Sequence, residues 1–143
     1  MEKLNTTFFY NLEKTVKTYR QFFQSQLRKN GFEITLDQWL MLHTILEYPE
    51  ASQNEIAERV FKDKASVTRI IELLVQNGYL TREIHPTNRR KFQLGITDKG
   101  KQTIEVLKDL VVQFRSTALA GIPVEKIEET QALLNTIVNN CNL

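Results

Sequence analysis

A chain of 143 residues, 41% of them hydrophobic, is long enough for one domain with a packed core and too short for two ordinary ones. No apolar run approaches the ~20 residues that span a bilayer, and polar residues around Glu2 stand where a secretory leader needs an apolar block, so a cytoplasmic protein is expected. The net charge of +2 gives no sign of function by itself, while a single cysteine, Cys141, and two histidines, His43 and His85, exclude an internal disulfide and make a metal site improbable.

From Leu4 to Lys29, Phe8, Leu12, Val16, Tyr19, Phe23 and Leu27 recur every three or four residues, which predicts one amphipathic helix ended by Gly31. The next stretch, TLDQWLMLHTILEYP, opens with a capping box from Thr35 to Gln38 and is apolar nearly all round. It predicts a buried helix that stops before Pro49. A second capping box, Ser52 to Glu55, starts a short helix with Ile56, Ala57, Val60 and Phe61 on one face.

After a brief link, Asp63 is placed to cap a fourth helix whose stripe of Val67, Ile70, Ile71, Leu74 and Val75 faces inward before Gly78. Two helices so closely spaced form a helix-turn-helix pattern. Phe92, Leu94 and Ile96 then alternate with Gln93, Gly95 and Thr97, the period of a half-buried strand, and YLTREI supplies its antiparallel partner. The hairpin tip between them is HPTNRRK. Thr97 is placed to cap a fifth helix with Ile104, Leu107, Val111, Phe114 and Ala118 along one seam. Gly121 and Pro123 break the chain before a sixth helix from Val124 to Cys141, whose apolar side holds Ile127, Leu134, Val138 and Cys141. The fold class expected is mainly α with a small β-hairpin wing, a winged helix-turn-helix between terminal helices.

Charge is distributed unevenly over these elements. Residues 59–101 hold ten Lys or Arg against four acids, a basic middle between acidic flanks, and the backbone of a nucleic acid is the leading partner for such a patch. On a helical wheel the fourth helix, residues 63–77, turns Ala65, Arg69, Glu72 and Gln76 away from its core stripe, with Ser66 and Thr68 beside them. Ala65 lets a backbone approach closely, Ser66 and Thr68 donate or accept hydrogen bonds, and Arg69 can grip a phosphate or a guanine edge. Glu72 repels phosphate, so the amino-terminal half, at the positive end of the helix dipole, is the part expected to enter a major groove. Arg89 and Arg90 lie at the tip of the wing, residues 82–96, where a narrow minor groove attracts arginine. The candidate DNA contacts are Gln53 and Asn54, Lys62, Lys64, Ala65, Ser66, Thr68 and Arg69, and Asn88, Arg89, Arg90 and Lys91 in the wing.

The order of elements, with the pieces SVTRIIELLVQNGYLTR and RRKFQLGITDKG, resembles the MarR family of bacterial winged-helix transcription regulators across essentially the whole chain. The resemblance implies a single domain over residues 1–143, with a DNA-binding lobe at 34–100 and a helical dimerisation region at 1–30 and 101–143. It also implies a homodimer joined by its first, fifth and sixth helices on a pseudo-palindromic operator, repressing transcription until a small aromatic or other effector, or an oxidant, releases it. Phe23, Trp39 and His43 are candidates for the effector pocket. One departure stands out: the family's wing carries Asp-x-Arg, whereas the same spacing here reads Asn88, Arg89, Arg90, so no acid orients the minor-groove arginine, Arg90. Redox-sensing members place their cysteine in the first helix, which has none here, and Cys141 is read as a buried or simply tolerated thiol. An enzyme is not expected, since the sequence has no nucleophile elbow, phosphate loop or zinc signature. The alternative is a winged-helix module that binds protein and not DNA.

Overall fold

The computed structural model describes residues 1–84, 86–88 and 92–142, and of Phe92 the backbone alone. The chain divides into two compact units, residues 1–111 and 112–143. A single 3-10 turn at Leu4–Thr6 precedes the helices α1 (Phe8–Lys29), α2 (Leu36–Glu47), α3 (Gln53–Val60) and α4 (Lys64–Gln76). The strands β1 (Leu80–Ile84) and β2 (Phe92–Ile96) follow, then α5 (Asp98–Ala118) and α6 (Val124–Cys141). No described helix is long and apolar enough to cross a membrane.

The helix starts obey short-range chemistry. Thr35 accepts a bond from the backbone N–H of Gln38, and the Thr35 N–H in turn donates to the side-chain oxygen of Gln38, closing the expected box. Ser52 accepts from the Glu55 N–H at 3.2 Å, and Thr97 from the Gly100 N–H at 3.1 Å. At the other end of the chain's first helix the expectation needs correcting. Residues 4–6 form a 3-10 turn and Thr7 is extended, so α1 starts at Phe8.

The core of the first unit is built from one face of each helix. Phe23 and Leu27 of α1, Met41, Leu42 and Ile45 of α2, Ile56 of α3, and Val67, Ile71 and Leu74 of α4 are all buried. Of the six-residue stripe predicted for α1 only Phe23 and Leu27 are buried: Leu12 and Tyr19 are half-buried, Phe8 and Val16 lie exposed in the single chain, and only the carboxy-terminal portion of the helix is covered. Phe61 also departs from the expected inner face of α3, lying outside that helix at 93% exposure.

β1 and β2 pair antiparallel with Leu80 opposite Ile96 and Ile84 opposite Phe92. The hairpin is anchored at its base, where the Thr97 hydroxyl donates to the Gly78 carbonyl at 2.6 Å. Gly100 completes the joint: a Cβ there would meet the Tyr79 carbonyl oxygen at 2.4 Å, so the residue just before β1 and the start of α5 approach in a way only glycine allows. In the second unit Phe114 is buried, and no residue of α6 is.

Candidate nucleic-acid interface

The start of α4 is set by the turn before it. Phe61 adopts φ 59° and ψ 42°, the left-handed region, and its neighbour Lys62 donates its N–H to the Ala57 carbonyl at 3.0 Å, closing the end of α3. A bulky residue in that region costs about 1–2 kcal/mol, which the packing of α3 and α4 against each other and on α2 must offset. Two residues later Asp63 caps α4: one carboxylate oxygen accepts the Ser66 N–H at 2.8 Å and the other accepts the Ser66 hydroxyl at 3.1 Å. The Ser66 backbone and hydroxyl bonds hold the Asp63 carboxyl below its ordinary value of 3.8. The Ser66 proton is therefore engaged by the cap, and its oxygen remains an acceptor.

Thr68 is engaged too. Its hydroxyl lies 3.0 Å from the Lys64 carbonyl and 3.3 Å from the side-chain oxygen of Gln53, which links α4 to the first residue of α3. Lys64, Ala65 and Arg69 are exposed, as are Glu72 and Gln76 farther along the same face. The face expected from the helical wheel thus stands open, with its cationic part at the amino-terminal end.

Lys62 differs from its neighbours. Its ammonium lies 3.3 Å from one oxygen of Asp37, in the first turn of α2, and the Arg20 guanidinium of α1 holds the other oxygen. Burial of Asp37 pushes its carboxyl up, but the hydrogen bonds and charges of Arg20 and Lys62 outweigh this and bring it below the ordinary carboxylate value.

A cleft of about 580 Å³ opens between the α2–α3 link, the amino-terminal ends of α3 and α4, and the two strands. Gln53, Asn54, Lys64 and Thr68, drawn from two helices, all line it, with Tyr48 and Arg82 on its other walls. Tyr48 is held there by Arg59, whose guanidinium carbon lies 3.6 Å from the ring centroid. Arg82 was missed by the sequence reasoning, yet a signal existed. It follows buried Leu80 by two residues in β1, so the alternation of the strand directs a charged side chain to the inward phase.

In the wing Asn88 is exposed, and Arg89, Arg90 and Lys91 lie outside the described residues. Of the effector candidates, Phe23 and Trp39 are buried with ring centroids 5.5 Å apart, while His43 is exposed, 5.4 Å from the Trp39 ring and 3.7 Å from a Glu47 oxygen. None of the three lines the cleft. The Trp39 indole N–H is buried and finds no acceptor among the described residues.

Residues 34–92, which span α2 to the first residue of β2, match the model of the MarR family. Bordetella bronchiseptica BpsR, whose DNA binding is regulated by 6-hydroxynicotinic acid, superposes with a TM-score of 0.86 at 18% identity, over 96% of this chain and 97% of its own. The MepR protein of S. aureus, in complex with DNA, gives 0.83 at 18% identity, over 94% and 98%. A protein of unknown function from Listeria innocua is 30% identical over 93% of this chain and 91% of its own, with a TM-score of 0.68.

Proposed function

The chain belongs to the MarR family, and from that premise we propose that it is a homodimeric, sequence-specific transcription regulator that binds double-stranded DNA as a repressor and releases it when a small effector binds. The observation that carries this reading is the open amino-terminal half of α4. There a capped helix presents Lys64, Ala65 and Arg69 to solvent, with the positive end of its dipole directed the same way. Arg69 has the length and donor geometry to read a guanine edge, and Ala65 leaves room for a base or sugar beside it. Gln53 and Asn54, at the first turn of α3, supply polar side chains for the flanking phosphates. The wing brings Asn88, Arg89, Arg90 and Lys91, and Arg90 is assigned to the minor groove.

No catalytic role is assigned, and the cytoplasm, where the DNA of a bacterial cell lies, is the place of action. For the effector, the buried Trp39 N–H beside Phe23 and His43 supports a site that would take an acceptor group, such as the carboxylate or hydroxyl of an aromatic acid. The BpsR protein, with its 6-hydroxynicotinic acid, supports the same class of ligand.

Selection of bound duplexes from a random pool, followed by fluorescence anisotropy over a range of salt, tests the reading. A two-fold-symmetric consensus and an affinity that falls steeply with salt are expected. Weak binding that is indifferent to both sequence and salt would favour the alternative, a winged-helix module for protein contacts.

A further inference from the structure

Lys62 stands in the turn that leads into the recognition helix, and its charge alone would make it a phosphate contact. Its surroundings point elsewhere. The side chain is 27% exposed, against open positions for Lys64 and Arg69, and its ammonium is turned to Asp37. Both oxygens of Asp37 are occupied, one by Lys62 and one by Arg20, so three elements meet at a single carboxylate: the first helix, the amino-terminal turn of α2, and the residue just ahead of the α4 cap. We propose that Arg20, Asp37 and Lys62 form a positioning device that ties the start of the recognition helix to α1, with Lys62 acting through Asp37 and making no DNA contact of its own.

The physical grounds are two. An ammonium turned to a carboxylate that it shares with Arg20 has part of its charge offset before a duplex approaches, so it releases fewer counterions than an open lysine and adds less to the salt-dependent part of binding. The turn it holds is short, with Phe61 fixed in the left-handed region and Asp63 already the cap, so any shift of Lys62 passes directly to the amino-terminal end of α4. That end carries Lys64, Ala65 and Arg69. Arg20 thereby acquires a part in DNA affinity although it lies on a helix that supplies none of the proposed contacts.

This inference rests on the DNA-binding reading, and the experiment separates the two. Operator and random duplexes are titrated with the full-length protein at several salt concentrations, using Lys62→Gln, Arg20→Gln, the double variant, Lys62→Arg, and Lys64→Gln as a phosphate-contact control. Lys62→Gln is expected to weaken operator binding about two- to fivefold, the scale of a partly exposed ion pair, with the random-duplex affinity little changed and the salt slope lowered by far less than in Lys64→Gln. Arg20→Gln should do the same, and the double variant should lose no more than the worse single one, since both act through Asp37. Lys62→Arg keeps the pair and should keep the affinity, while Lys64→Gln should lower the slope by about 0.9. A slope that falls by about 0.9 for Lys62→Gln, with equal losses on both duplexes, overturns the proposal in favour of a phosphate contact. Unchanged operator affinity in both single variants overturns it as well. A wild-type protein without salt-dependent duplex binding removes the DNA-binding reading itself, and the positioning role with it.

Discussion

Phe61 shows how a single residue can work against the stability of the fold. It is the one non-glycine among the described residues with positive φ, and its ring is almost wholly exposed. Glycine at this position relieves the left-handed strain but adds freedom to the unfolded chain, so Phe61→Gly should stabilise the protein by a net of about 0.5–1 kcal/mol. Urea denaturation checks this, and a loss of stability would show that the ring has a partner. Asp63 offers a second test at the same scale. Its folded carboxyl sits below its ordinary value of 3.8, so its contribution is complete above about that pH and is lost as pH falls through the lower folded value. Asp37 follows the same sign. Asp63→Asn preserves a capping oxygen and should be close to wild type at pH 7, with a shallower loss of stability below pH 4 in acid titration followed by circular dichroism. At Arg69, replacement by Ala should cost roughly 1–3 kcal/mol on the operator and relax the preference at one or two base pairs if the guanidinium reads guanine. Equal weakening on operator and random DNA would mark a phosphate contact instead.

Among the elements, the hairpin is the most sharply constrained. Gly95 and Gly100 both lack room for a side chain, but for different reasons. A Cβ at Gly95 meets the Thr81 hydroxyl at 2.7 Å, an atom that can rotate away, whereas at Gly100 it meets the backbone oxygen of Tyr79 at 2.4 Å. Gly100→Ala should therefore destabilise by at least about 1–3 kcal/mol, and Gly95→Ala by clearly less; thermal melts of the two variants, side by side, decide. The proposed reading of the wing has its own test. Arg90→Ala should lose more affinity on an operator with A·T-rich flanks than on one with G·C-rich flanks, because narrow A·T minor grooves concentrate negative potential, while Arg89→Ala should be blind to the flanks. Equal losses for both variants on both duplexes would mean that the wing grips backbone without sensing groove shape.

For the whole molecule, the apolar surface left open is the informative quantity. Phe8, Phe9 and Val16 on α1, Val106 and Val112 on α5, and Leu133 and Val138 on α6 are exposed in the single chain, on the three helices proposed to join two copies. Sedimentation is expected to show a dimer at micromolar concentration, and a monomer there would sink the proposed assembly. On such a dimer the two recognition helices should meet half-sites about one helical turn, ~34 Å, apart, which a footprint can measure. A single unsymmetrical half-site would contradict it.

What the sequence by itself determined lies within a few residues along the chain. The Thr35–Gln38 box, the Ser52, Asp63 and Thr97 caps, the antiparallel pairing of β1 with β2 and the outward face of α4 all follow from spacing, since the interactions that fix them span three residues or one hairpin. The family's resemblance was legible in the same way, through the run from α4 to the start of α5. Three features depended on tertiary structure. The left-handed turn at Phe61 lies in a link of three residues between α3 and α4, and no local preference of phenylalanine announces it. The gathering of Gln53, Lys64, Thr68 and Arg82 around one cleft requires α3, α4 and β1 to be packed before any of the four can face another. Lys62, read along the chain, is one more cation in a basic patch; only the fold brings Asp37 within 3.3 Å of it and turns it from the open surface toward the first helices.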